Sequence, residues 1–203
     1  MASRNRRIKR RRSGRGRGNE GMVPRGLSMP LVTVCRTTSP ASILKIGTDV
    51  GTARFFSLNA LPGFADFTSL FQYYRIKWVE AQYNLITPNI SGNTPFPRLY
   101  TAIEQQSFPT PTTVDIVTAY TSCEQYQFGT SKTTFCRRLS PRVLLTAAGT
   151  SNAVLSEGWL STANSGITYW GLAEFLSPYN TVSNPNTVVE YNVRYCIQLK
   201  GAK

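Results

Sequence analysis

Between residues 27 and 203 apolar side chains recur with a period of two. That spacing turns alternate residues to opposite faces of a β-strand. The clearest case is Thr187–Leu199: Val189, Tyr191, Val193, Tyr195, Ile197 and Leu199 fall on one face, and Val188, Glu190, Asn192, Arg194, Cys196 and Gln198 on the other. One face is predicted to be buried and the other to meet polar surroundings. Phe71–Thr87 is long for a strand and ends at Pro88. Strict alternation places Tyr74, Ile76, Trp78 and Ile86 on one face, and Tyr73, Arg75, Lys77, Val79, Tyr83 and Leu85 on the other. Trp78 and Tyr195 are then expected to be core anchors.

Shorter runs rich in Val, Ile, Thr, Tyr and Phe predict strands at Met29–Arg36, Arg54–Asn59, Arg98–Gln105, Lys132–Leu139, Arg142–Thr146 and Ile167–Leu176, making eight in all. Pro, Gly, Ser, Thr and Asn punctuate them. The segments at 47–51 and 149–151 read as turns. Ala65–Phe71 and Thr112–Tyr120 read as one or two helical turns, capped by Asp66 or Thr112. Eight strands with long polar excursions and few helices predict an all-β fold, an antiparallel sandwich or a barrel.

Charge divides the chain. Of 203 residues, 23 are basic and 10 acidic, a net of +13. Residues 1–26 hold ten of the basic residues and one acid, Glu20, a net of +9, which leaves +4 for residues 27–203. Up to residue 18 only Met1 and Ile8 offer apolar bulk, so burial cannot offset chain entropy and the arm is predicted to be disordered. The organisation predicted is an arm at 1–26 and a β domain at 27–203. The candidate nucleic-acid-binding residues of the arm are Arg4, Arg6, Arg7, Lys9, Arg10, Arg11, Arg12, Arg15 and Arg17. Guanidinium forks match phosphate oxygens in pairs and stack on bases. Charge of this density calls for a polyanion. It also satisfies a nuclear import signal, and the two uses are compatible.

Catalysis finds little support. The chain has no histidine, which excludes Ser-His-Asp and Cys-His machinery and His-ligated zinc. The body's nine acids lie at least nine residues apart and read as solvated or ion-paired surface groups. No enzyme activity, metal or cofactor is expected. Cys35, Cys123, Cys136 and Cys196 form no C-x-x-C pair and read as free, mostly buried thiols. Tyr73, Tyr74, Trp78 and Tyr83 suit either core packing, the commoner use, or base stacking. No apolar run is long enough for a membrane-spanning helix, and no secretory signal is read.

With the Arg-rich arm, the segment Ala60–Phe64, the run Phe71–Tyr83 with its Tyr-Arg-Ile-Lys core, and the alternating C-terminal strand, the chain resembles circovirus-like capsid proteins of single-stranded DNA viruses. The resemblance implies an eight-stranded antiparallel jelly-roll sandwich with sheets lettered BIDG and CHEF. Met29–Arg36 would be B, Arg54–Asn59 C, Phe71–Thr87 D and Arg98–Gln105 E. Lys132–Leu139 would be F, Arg142–Thr146 G, Ile167–Leu176 H and Thr187–Leu199 I. It implies a self-assembling icosahedral T=1 shell of about 60 copies, found in the virion and, during assembly, in the host nucleus through an import receptor. The cargo implied is a single-stranded genome, DNA favoured over RNA. With D beside I, the cations Arg75, Lys77 and Arg194 would share one outer sheet face and meet the genome; the other role open to them is solvated charge or ion pairing between subunits. Val79-Glu80-Ala81 departs from the basic alternation, so a satellite-virus or tombusvirus-like RNA capsid, with the same fold and arm, stays open. The alternative of another class is a cellular RNA- or DNA-binding β module with a basic tail that forms no shell.

Overall fold

A computed structural model describes residues 31–43, 49–86, 96–105, 108–147, 151–155, 158–177 and 188–203. The arm, with its candidate residues and the boundary at residue 26, lies outside the described residues. All eight predicted strands form: β1 Val32–Thr37, β3 Val50–Phe56, β4 Phe71–Ile86, β5 Arg98–Ile103, β7 Thr134–Leu139, β8 Arg142–Ala147, β11 Tyr169–Ser177 and β12 Val188–Ala202. Four short ones join them: β2 Ala41–Ile43, β6 Glu124–Gln127, β9 Ser151–Leu155 and β10 Leu160–Ser161. Val50 and Gly51 start β3 and Ser151 starts β9, so these residues of the turns predicted at 47–51 and 149–151 belong to strands; residues 47–48 and 149–150 lie outside the described residues.

Two antiparallel sheets face each other. In one, β12 pairs with β4 along nearly their whole length, from Val188 opposite Ile86 to Ala202 opposite Phe71. β1 and β2 line the free edge of β12, while β7 and β10 pair with β4. In the other, β11 is flanked by β3, β5 and the β8–β9 hairpin, and β6 pairs with β5. The orders β1-β12-β4-β7 and β3-β11-β5-β6 are the BIDG and CHEF sheets of a jelly roll. Two letters must therefore change. Thr134–Leu139 pairs with β4 and is G, not F; Arg142–Ala147 pairs with β11 and is an extra hairpin strand, not G. The true F is β6, Glu-Gln-Tyr-Gln, which has no apolar alternation to reveal it.

The six residues predicted for the apolar face of β12 are all buried in the core. Tyr195 packs edge-on against Phe56 of the opposite sheet, centroids 5.9 Å apart. The polar face is less open than expected, because Cys196 and Gln198 are also buried.

Trp78 is not a core anchor. Cys196 faces Trp78 while Ile197 faces Ile76, so Lys77 is an extra residue in β4. One inserted residue exchanges the faces of everything beyond it. Tyr74 and Ile76 point into the core before the bulge, and Val79, Ala81, Tyr83 and Leu85 do so after it. Trp78 moves to the outer face and Ile86 is exposed. Two substitutions will show the difference in thermal melting. Tyr195→Ala empties a core position and costs about 3–5 kcal/mol. Trp78→Ala removes a surface cation–π partner and costs about 1–2 kcal/mol. Equal losses would return Trp78 to the core.

The helical turns are α1, Phe64–Leu70, and α2, Val114–Thr118. Neither Asp66 nor Thr112 caps them: Gly63 and Thr113 hold the N-cap positions, with no side-chain cap bond. Gly63 enters α1 at φ 74°, in the left-handed region that glycine adopts without strain. Near α2, a second small core of Ala102, Phe108, Val117, Ala173 and Phe175 forms, and β11 is consequently buried on both faces.

All four thiols are free, as expected, but their burial is not: Cys35 and Cys136 are exposed, Cys123 is half-buried and only Cys196 is buried. Nor are all the acids at the surface. Glu174 is buried between the sheets, bonded to Arg54 at 2.8 Å and accepting the Tyr83 hydroxyl. No helix among the described residues is long and apolar enough to cross a membrane.

Candidate nucleic-acid interface

Cross-strand pairing decides which side chains share the outer face of the β1-β12-β4-β7 sheet, because directly opposed residues in an antiparallel pair point the same way. Arg194 on β12 lies opposite Glu80 on β4, which lies opposite Arg138 on β7. Cys196 lies between Trp78 and Cys35, and Gln198 between Arg75 and Thr33. Lys200 lies opposite Tyr73, itself opposite Ser161 on β10. Lys77, the bulged residue, is exposed and joins Arg138 in the field felt by the Cys196 thiol. Burial and the neighbouring Cys35 push that thiol up to about 11, so it stays protonated at neutral pH.

Arg75, Lys77 and Arg194 thus occupy one outer face, as predicted. Arg138 and Lys200 belong there too, and the pattern held a signal for both: each continues the alternation of its strand. Among the described residues, Arg75, Lys77, Arg138, Arg194 and Lys200 are five cations on this face against two acids, Glu80 and Glu190, an excess of three.

Aromatic rings hold most of these cations in place. The Arg138 guanidinium carbon sits 3.9 Å from the Trp78 ring centroid, and that of Arg194 5.8 Å from the same ring. Arg75 lies 4.9 Å from the ring of Trp159 and the Lys200 ammonium 4.3 Å from it. Arg75 Nε also donates to Gln198 Oε1 at 2.7 Å. Nothing in the sequence around Trp159, at the entry to β10, marks it as part of this face. Of the four aromatics considered for stacking, Tyr74 and Tyr83 are core residues, while Tyr73 and Trp78 lie on the outer face. Among the described residues, no group of three or more Cys, Asp or Glu is placed to hold a metal ion.

The family model for circovirus capsid protein matches residues 2–203. In structure the chain is similar to the BFDV capsid protein in its 60-mer, with a TM-score of 0.61 and 16% identity over 85% of this chain and 94% of that one. The decameric BFDV capsid protein gives 0.57 at 18% identity, over 85% and 100%. Tobacco necrosis virus gives 0.57 at 9% identity, over 86% and 97%. At such identities the likeness is one of fold. No curated protein sequence matches the chain.

Proposed function

The chain belongs to the circovirus capsid protein family, and from that premise we propose that it closes into an icosahedral T=1 shell of about 60 copies around a single-stranded genome, DNA rather than RNA. It is a viral capsid protein, structural in role and a component of the virion. That membership removes the cellular binding module as a rival. The chain divides at residue 26 into a nucleic-acid-binding arm and a shell domain. In the arm, Arg4, Arg6, Arg7, Lys9, Arg10, Arg11, Arg12, Arg15 and Arg17 neutralise phosphates without reading sequence. The same cluster serves as the import signal that a host receptor takes to the nucleus. Arg75, Lys77 and Arg194 form a second, weaker set on the shell's inner wall.

The observation that carries the inner-wall assignment is the pooling, among the described residues, of five cations against two acids on one sheet face. Ordinary solvated charge would be interspersed with its opposite. The test of assembly is electron microscopy of the purified chain, which should show closed shells of one size. Folded monomers at every salt and protein concentration would refute it. The wall is tested with Arg75→Gln, Lys77→Gln and Arg194→Gln together in a chain lacking residues 2–18. Three lost phosphate contacts should flatten the slope of log K against log salt by about 2, at roughly 0.7 per contact on a single strand. An unchanged slope would leave the arm as the sole genome contact.

A further inference from the structure

We propose that this wall recognises unpaired bases as well as phosphates: Trp78 with Arg138, and Trp159 with Arg75 and Lys200, are two stacking sites for single-stranded nucleic acid. The inference rests on the reading that this face meets the genome. It deepens that reading from charge to strandedness.

The tryptophans divide by what surrounds their rings. The chain has three. Trp170, on the other sheet, packs among aromatic rings, 5.8 Å from Phe55 and 6.0 Å from Phe108. Trp78 and Trp159 instead lie half-buried on the one face with excess positive charge, each with two cations near its ring. Trp170 is half-buried as well, so the difference lies in the neighbours: aromatic rings flank Trp170, and cations flank Trp78 and Trp159. A guanidinium held over that indole is already positioned to take a base on its other side, since bases stack on Arg planes as well as on aromatic rings. The surrounding charge then pairs with the phosphates of the same strand. This combination, a cationic track with aromatic platforms, is what sequence-tolerant binding of single strands requires. A duplex keeps its bases stacked on each other and offers only phosphates to such a wall.

The spacing also suits one strand. Trp159 precedes Leu160, which lies opposite Tyr74, so its ring sits beside Arg75. From there to Trp78 is three residues of β4, roughly 10 Å at about 3.3 Å per residue. Adjacent stacked bases lie about 3.4 Å apart, so the two platforms take different nucleotides of one strand. Tyr73, 40% exposed and with the Lys200 ammonium 5.6 Å from its ring, borders the second platform.

Tryptophan emission tests the proposal directly, because residues 1–26 contain no aromatic residue and binding at the arm gives no signal of its own. The full chain is titrated at elevated salt, where phosphate contacts weaken and stacking persists, with oligo(dT), oligo(rU) and a blunt DNA duplex of equal phosphate count. Single strands should quench the emission and the duplex should not. Quenching by both oligo(dT) and oligo(rU) means that bases alone are read, and quenching by one of them means that the sugar is read as well; both support the proposal. Trp78→Phe with Trp159→Phe should remove most of the quenching while keeping the preference for single strands. Trp78→Leu with Trp159→Leu should lower single-strand affinity about thirtyfold, at the low end of what two base–aromatic stacks contribute, and leave duplex affinity unchanged. If the leucine pair does not fold, the phenylalanine pair still assigns the quenching. Equal affinity for single strand and duplex, or quenching that survives in the phenylalanine pair, would overturn the proposal. Shells that enclose nucleic acid while the emission stays constant would sink this inference and spare the capsid reading; failure to form shells would sink the capsid reading itself.

Discussion

Shells assembled from a chain lacking residues 2–18 will be nearly empty of nucleic acid. That segment holds nine cations, Arg4, Arg6, Arg7, Lys9, Arg10, Arg11, Arg12, Arg15 and Arg17. If each meets one phosphate of a single strand, its loss flattens the salt slope by about 6, at roughly 0.7 per cation. Across a fourfold change in salt the full chain then gains or loses about 10^4 in affinity that the shortened chain does not. The sheet face, with an excess of three charges, supplies about a third as much. The β domain should survive the deletion. Among the described residues the main core runs from Phe56 to Leu199, with Val32 and Val34 packed against it from β1. The ratio of nucleic-acid to protein absorbance of purified particles, with their buoyant density, checks the outcome. A full cargo in the shortened particles would make the sheet face the principal genome contact and the arm an accessory.

The eight long strands were legible for two reasons: β12 and much of β4 alternate apolar and polar residues, and the other six are short runs rich in β-branched, aromatic and other apolar residues between turn-forming ones. What escaped was whatever neither pattern encodes. β6 is three polar residues and the half-buried Tyr126, paired with β5, and carries no alternation that would reveal it. Missing it shifted the expected letters by one strand, although the residues of β7 and β8 were placed correctly. The bulge at Lys77 was hidden for another reason. Up to Lys77 alternation and the true faces agree, and only the run Val79, Ala81, Tyr83 and Leu85 against Tyr74 and Ile76 shows that the phase has changed. That shift was present in the sequence as an excess of apolar residues on the supposedly polar face. Arg75, Lys77 and Arg194 were nevertheless assigned to one face correctly, since Arg75 precedes the bulge, Lys77 is the bulge, and the phase of β12 is undisturbed. Trp159 stands outside any long strand, and only the folded chain brings it to Arg75 and Lys200.

Replacing Glu174 by alanine will destabilise the shell domain by about 3–5 kcal/mol, the cost of leaving one partner of a buried ion pair alone. Glu174 lies on β11 among Leu172 and Leu176, facing the opposite sheet. Arg54 of β3 pairs with it at 2.8 Å, and the Tyr83 hydroxyl from β4 donates to its other oxygen. The Tyr191 ring of β12 lies 4.1 Å beneath the same guanidinium. One carboxyl therefore ties β3 and β11 to β4 and β12 across the sandwich. Burial pushes that carboxyl above its usual range, against the opposing pull of Arg54 and the hydroxyl bond. Burial also works against the Arg54 charge, but Glu174 and Tyr191 outweigh it, and arginine keeps its proton at any working pH. Glu174 is then the member that titrates. Its folded state holds the proton to a higher pH than the unfolded chain does. Its contribution to stability is greatest below the unfolded value and is lost as pH rises through the folded one. Glu174→Gln keeps the shape and the acceptor for Tyr83, and it cannot titrate. Its melting temperature, followed from mildly acidic to neutral pH beside that of the unaltered chain, should lack this group's decline with rising pH. Parallel profiles would show that Glu174 stays charged throughout. A Glu174→Ala protein that melts with the unaltered chain would show that Arg54 finds water when its partner is removed.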